Sequence, residues 1–286
     1  MKSVLSAPPH KNKEEFMLIF NCTKAAADFF TLTRKGEKVS PLSAPPKKAI
    51  DDLGSGNEII SPWQLHVVSV KRRKVLFAMH IMTRYCMLFT GLKKGDVAGF
   101  LSLFCERLLN SMGFLAEGID GCDEFLSRSI FDKFLEKNSE YYFCQRSDNS
   151  VLAHLRDAKW LFENQLDHVG YFPNNMEEAA GFDEQANDTP RRSKGHKHHF
   201  FPDEEMLISW VNRYSKPGAY SETRLREFFG KKRSERYLKI IAEHAGFEDV
   251  YEKMAEFAQM DDGSLEEQAK GPKKDNIIPF PGLGKK

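Results

Sequence analysis

Residues 63–80 read WQLHVVSV-KRRK-VLFAMH. The outer segments are rich in aromatic and β-branched residues, and Lys71-Arg72-Arg73-Lys74 is a short polar break between them. Two such runs around a short break predict a β-hairpin, although the break lacks the Asn-Gly pair favoured in tight turns. A third run, Arg84 to Leu92, ends at Lys93-Lys94-Gly95. Both alternating sets of side chains in these runs are apolar, which predicts a sheet covered over most of both faces.

Upstream, Leu18 to Cys22 reads as a further strand, and Thr23 is placed to cap a helix running through Leu32. Residues 33–61 carry scattered Gly and Pro with little periodicity and read as a long loop, a feature usually functional or mobile. Downstream of Asp96, Val97, Phe100, Leu101, Phe104, Cys105, Leu108 and Met112 follow helical spacing, with Gly113 as the expected stop. A second helix is predicted over Asp123–Lys137, a strand over Tyr141–Gln145, and a helix carrying Val151, Leu155, Ala158 and Phe162 up to Gly170. This mixture predicts an α+β body over 17–170, a mixed sheet with packed helices. Residues 1–16 read as a flexible arm and 171–200 as a linker. A small all-helical module follows over 201–260, with two short helices around Gly230, and 261–286 reads as a disordered tail.

Composition narrows the function classes. Apolar residues at 41% of 286 fit a globular protein and exclude wholesale disorder. Lys and Arg number 42 against 41 Asp and Glu, so any electrostatic recognition must be regional. The longest apolar stretch, Val75 to Leu92, is interrupted by His80 and Arg84, and the first 16 residues hold no apolar signal core. No membrane partner is expected. The five cysteines lack CxxC spacing and read as reduced, buried thiols, which predicts a cytoplasmic protein.

Met17-Leu-Ile-Phe-Asn-Cys-Thr-Lys, Trp63, Val70-Lys-Arg-Arg-Lys-Val-Leu-Phe, Gly91-Leu-Lys-Lys-Gly-Asp and Asp148-Asn-Ser-Val-Leu-Ala-His-Leu-Arg-Asp follow one another in that order. Over residues 17–170 this ordering resembles a family of small bacterial proteins described only as a domain of unknown function. In that family a tryptophan opens a strand, an Arg-Arg-Lys turn follows, and an Asn-x-x-Ser-Val-Leu helix start comes late. Gln64-Leu65-His66 departs from it where members carry an asparagine. The resemblance implies an α+β body of bacterial or mobile-element origin, and it carries no known activity with it.

Between Trp63 and Asp96 stand Lys71, Arg72, Arg73, Lys74, Arg84, Lys93 and Lys94, with no acidic residue among them. Cations clustered on turns at strand ends suit a phosphate backbone. A second basic block runs from Arg213 to Lys239 and includes Arg224, Lys231, Lys232, Arg233 and Arg236. Its two short helices around Gly230 admit a helix-turn-helix reading. His196, His198 and His199 lie among cations in a polar stretch, which opposes a divalent ion, so no metal and no cofactor is expected. Walker A, GxGxxG, HExxH and GxSxG patterns are absent from the sequence.

The composite expectation is a noncatalytic regulatory protein that contacts nucleic acid or a nucleoprotein complex through its two basic patches. One alternative is a protein–protein adaptor or inhibitor acting through loop 33–61 and the tail. Another is a nuclease-type enzyme centred on His154 and Asp157, which share a helix face with Ser150.

Overall fold

A computed structural model describes residues 17–44, 60–119, 128–138, 140–193, 198–215 and 220–245. The expected arm 1–16, part of the expected loop 33–61, the start of the helix placed at Asp123, the end of the module expected over 201–260 and the tail 261–286 lie outside the described residues. The chain divides into two units, 1–226 and 227–286.

Successive side chains of a strand point to opposite faces, so the continuous apolar runs bury the sheet on both sides. Five strands form one mixed sheet: β1 (Met17–Cys22), β4 (Ile60–Val70), β5 (Arg73–His80), β6 (Cys86–Thr90) and β7 (Glu140–Gln145), in the order β6-β5-β4-β1-β7. β1 runs parallel to β4 and β7, and the β4–β5–β6 meander is antiparallel. Both faces are covered. On one face Val75, Phe77 and Met79 pack against Val151, Leu155 and Phe162 of helix α4 (Asn149–Val169). On the other, Phe20 meets Phe100 and Phe104 of α2 (Val97–Ala116) at 5.4 and 5.1 Å, and Trp63 meets Phe104 edge-on at 4.8 Å.

Several local expectations hold. Thr23 caps α1 (Lys24–Phe30) and α4 ends at Gly170, in the left-handed conformation; the residue that caps the start of α4 is Asp148. Others change. Helix α2 continues through Gly113 to Ala116, since packing outweighs the roughly 1 kcal/mol penalty of a mid-helix glycine. The first part of the expected 33–61 loop is a hairpin, β2 (Leu32–Arg34) and β3 (Glu37–Val39), turned by Lys35 and Gly36 at positive φ. Gly95 at φ +78 is required, because a Cβ there would lie 2.2 Å from Leu32.

The largest departure is in residues 171–200. Instead of a linker they contain α5 (Met176–Asn187), whose Phe182 and Ala186 enter the α4-side core. Its polar face completes the sheet. Asn187 accepts from the Cys86 amide and donates to the Cys86 carbonyl at 2.7 and 2.8 Å, and Asp183 accepts from the Leu88 amide at 2.8 Å. Two side chains one helical turn apart thus take the place of a neighbouring strand along β6, covering an edge that would otherwise pair with another chain. Arg107 of α2 donates to both the Leu88 carbonyl and the Asp183 carboxylate.

Helix α3 (Arg128–Lys137) and α6 (Pro202–Tyr214) meet through Phe134 and Trp210, stacked at 4.9 Å. Asn138 donates to the Tyr214 hydroxyl at 2.8 Å. So α6 belongs to the body rather than to a separate module. The two short helices expected around Gly230 are one, α7 (Glu222–Ala245). Flanking Arg, Lys and Glu are strong helix formers and carry the helix through the single glycine. No helix among the described residues is long and apolar enough to cross a membrane.

Candidate nucleic-acid interface

The β4–β5 connection is a two-residue turn in which Lys71 and Arg72 both take positive φ, 42° and 69°. That is the type I′ geometry imposed by the twist of the flanking strands, here adopted by residues other than Asn-Gly. It projects Lys71, Arg72, Arg73 and Lys74 into solvent. Since β6 runs antiparallel to β5, with Val75 opposite Thr90, the exposed Lys93 and Lys94 leave the sheet at the same end.

These side chains differ in their engagement. Lys71 pairs with Asp167 of α4 at 2.7 Å, Lys74 donates to Ser69 at 2.8 Å, and the Arg73 guanidinium lies 4.8 Å over the Phe172 ring. Arg73 and Lys74 form one wall of a cleft of about 460 Å³, faced by Phe172, Asn174 and Asn175. Phe89, Gly91 and Arg107 also line it, and no acidic side chain does. Asn175 caps α5 through the Glu178 amide at 2.8 Å. Phe172, Asn174 and Asn175 stand in the stretch read as linker. Their signal was an Asn-Asn pair three residues before Glu178, an N-cap pattern ahead of the apolar Ala179 and Phe182.

Arg84 is not at this surface. It lies in the β5–β6 turn at the far end of the meander, buried beneath α4, where its Nη2 donates to Ser150 Oγ at 3.2 Å. Burial pulls its pKa down, Asp148 opposes that shift, and Arg191 adds to it. Runs of basic residues read as surface because solvation of a cation is favourable. Here the turn is folded under a helix that sequence spacing does not locate.

In the second basic block Arg224 is exposed on the part of α7 that belongs to the first unit. In the second unit Lys231 lies 3.9 Å from Glu235, both exposed, Lys232 and Arg233 sit over the rings of Phe228 and Phe229, and Arg236 is exposed. The continuous helix removes the turn that a helix-turn-helix requires. Of the histidine cluster, His196 lies outside the described residues, and His198 and His199 are exposed.

Ser150, His154 and Asp157 do share the face of α4 that the spacing predicts. The Asp148 carboxylate caps the Ser150 and Val151 amides at 2.8 and 3.1 Å. Burial, Arg191 and Arg84 lower the His154 pKa, with Asp157 opposing them. Ser150 Oγ is held by Arg84, and Arg191, which the sequence reading did not single out, donates to the His154 carbonyl at 3.4 Å.

A family model described as a domain of unknown function, DUF6933, matches residues 19–205. No curated protein matches the chain.

Proposed function

The chain belongs to the DUF6933 family, and from this premise and the geometry above we propose a noncatalytic, cytoplasmic protein that contacts nucleic acid through the basic end of its sheet. The supporting observation is the acid-free cleft walled by Arg73 and Lys74, with Arg72, Lys93 and Lys94 exposed at the same sheet end. Its volume of about 460 Å³ suits one nucleotide unit. Arg73 and Lys74 would hold phosphate oxygens, the first as a fork and the second as a point charge. Asn174 Oδ1 and Asn175 Nδ2, the amide atoms not used on Glu178, offer a neutral acceptor and donor to base edges or sugar, and Phe172 offers the ring face not covered by Arg73. The four described cysteines are free, and Cys22, Cys86 and Cys144 are buried, which fits a reducing compartment.

Five cations at this end imply a salt slope of about −3.5 on a single strand, hence a loss of affinity of about 100-fold between 50 and 200 mM salt. Titration of fluorescent single- and double-stranded DNA and RNA against the full chain measures this slope. The double variant Arg73→Ala/Lys74→Ala should flatten it by about 1.4. Absence of salt-dependent binding, or a double variant that binds like the wild type, overturns the reading.

A further inference from the structure

Two arginines stand out by their burial. Arg84 and Arg191 are only 7% and 5% exposed. Arg84 spends one nitrogen on Ser150, while its Nε and Nη1 are buried without a hydrogen-bond partner. Arg191 donates from Nη1 to the His154 carbonyl and from Nη2 to the Ala186 carbonyl at 3.2 Å, and its Nε is likewise unpartnered. Among the described residues neither guanidinium has a carboxylate within ion-pair distance. Asp148 acts on Arg84 and Asp157 on Arg191 only at longer range, and two buried charges of one sign with no bonded counter-ion are unfavourable unless something further neutralises them.

Their placement is specific. Their contacts fall on residues 150 and 154, one turn apart on α4 and so about 6 Å from each other along one helix face. Arg84 also holds a left-handed backbone at φ 60°, a conformation in which a side-chain-bearing residue is strained. Arg84 lies at the N-terminal end of a 21-residue helix, whose dipole favours a negative charge there, and Arg191 reaches the next turn. Asp148 already caps the first amides, which leaves the guanidinium groups as the available donors. Ser150 is exposed and His154 half-buried, so the pair lies one side chain below solvent, with exposed Asp157 at the rim.

We propose that Arg84 and Arg191, with Ser150 at the start of α4, form a binding site for a dianionic phosphate group, either inorganic phosphate or a terminal phosphate monoester. Arg84 Nε, Arg84 Nη1 and Arg191 Nε are three buried donor nitrogens left over for phosphate oxygens, and a dianion would offset the charge of the two arginines. The site is independent of the cleft at the hairpin end. The eight residues of β5 separate them by about 25 Å.

The test is thermal unfolding of the full chain in potassium phosphate against potassium chloride at matched ionic strength. The wild type should gain about 2–4 °C, saturably. Arg84→Gly removes the guanidinium and relieves the positive φ, so it should fold at least as well and lose the phosphate-dependent gain. Arg191→Lys keeps a charge without the fork and should raise the half-saturating phosphate concentration about tenfold. Arg73→Ala/Lys74→Ala should keep the gain. A lower half-saturating concentration for AMP than for inorganic phosphate assigns the group to a nucleotide terminus, and equal values assign it to free phosphate. A wild type that phosphate does not stabilise beyond chloride overturns the site, as does an undiminished gain in Arg84→Gly.

Discussion

Gln64 Oε1 accepts the backbone amide of Asp148 at 3.0 Å, joining the middle of the sheet to the residue that caps α4. The same side chain donates from Nε2 to the carbonyls of Asn21 at 2.7 Å and Arg146 at 3.1 Å. One fully buried amide therefore ties β1, β4 and the β7–α4 connection together. Its replacement leaves several buried backbone groups unsatisfied. Gln64→Leu should lose about 3 kcal/mol of stability, read as a lower midpoint in urea with unchanged slope. A midpoint within experimental error of the wild type would remove Gln64 from this role.

The hairpin turn should be improvable. Lys71 and Arg72 both occupy left-handed backbone, which costs roughly 1–2 kcal/mol for each L-residue. Asn-Gly adopts this turn with less strain. Losing the exposed Lys71–Asp167 pair should cost under about 1 kcal/mol. Lys71→Asn/Arg72→Gly is expected to gain about 1 kcal/mol in equilibrium unfolding; a loss would mean that the turn is not type I′.

Acid sensitivity should trace in part to His80. It is buried beside Trp63, with Nδ1 2.9 Å from Thr83 Oγ1. Burial, Arg213 and Arg84 lower its pKa from 6.5 to about 3. The unfolded chain takes up this proton near pH 6.5 while the folded chain resists until about pH 3. The resulting stability is therefore complete above pH 6.5 and falls as pH drops from 6.5 toward 3, by up to about 5 kcal/mol. His80→Asn should show a shallower loss over that window in chemical denaturation followed against pH. An unchanged pH profile would count against a buried neutral imidazole.

Arg107 and Asp183 form a buried ion pair on the β6 edge. Burial raises the Asp183 pKa, and Arg107 and the Leu88 amide oppose the shift. Arg107→Met alone should destabilise by about 3–5 kcal/mol, because it strands the carboxylate. Adding Asp183→Asn, which keeps an acceptor for Leu88, should recover most of that loss. A double variant no better than the single would show that the charge is not the cause.

Much of the fold was legible in apolar runs and stripes. The short runs at 18–22, 63–70 and 75–80 identify strands by their β-branched and aromatic content, and the stripe Val151, Leu155, Ala158, Phe162 identifies a helix by its period. The basic hairpin was legible too, as a charge run bounded by apolar strands. Helix α5 was not. Its apolar face is only Ala179, Phe182 and Ala186, and its acidic first turn and flanking asparagines and prolines imitate a linker. Arg84 was misread as a surface cation for a related reason: composition counts charge but does not say which turn a distant helix covers.

The sequence by itself determined the strands of the five-stranded sheet, the helices with continuous stripes, the cap at Thr23 and the cationic turn. All of these depend on residues within a turn or two of one another. Only the tertiary structure decided that Asp183 and Asn187 complete the edge of β6, that Gln64 holds the start of α4, and that Arg84 and Arg191 meet on one helical turn. Those pairings span 37 to 101 residues of chain. Such contacts form because burying the two apolar faces of the sheet selects a single packing, and the polar groups carried inward must then find partners or recruit them.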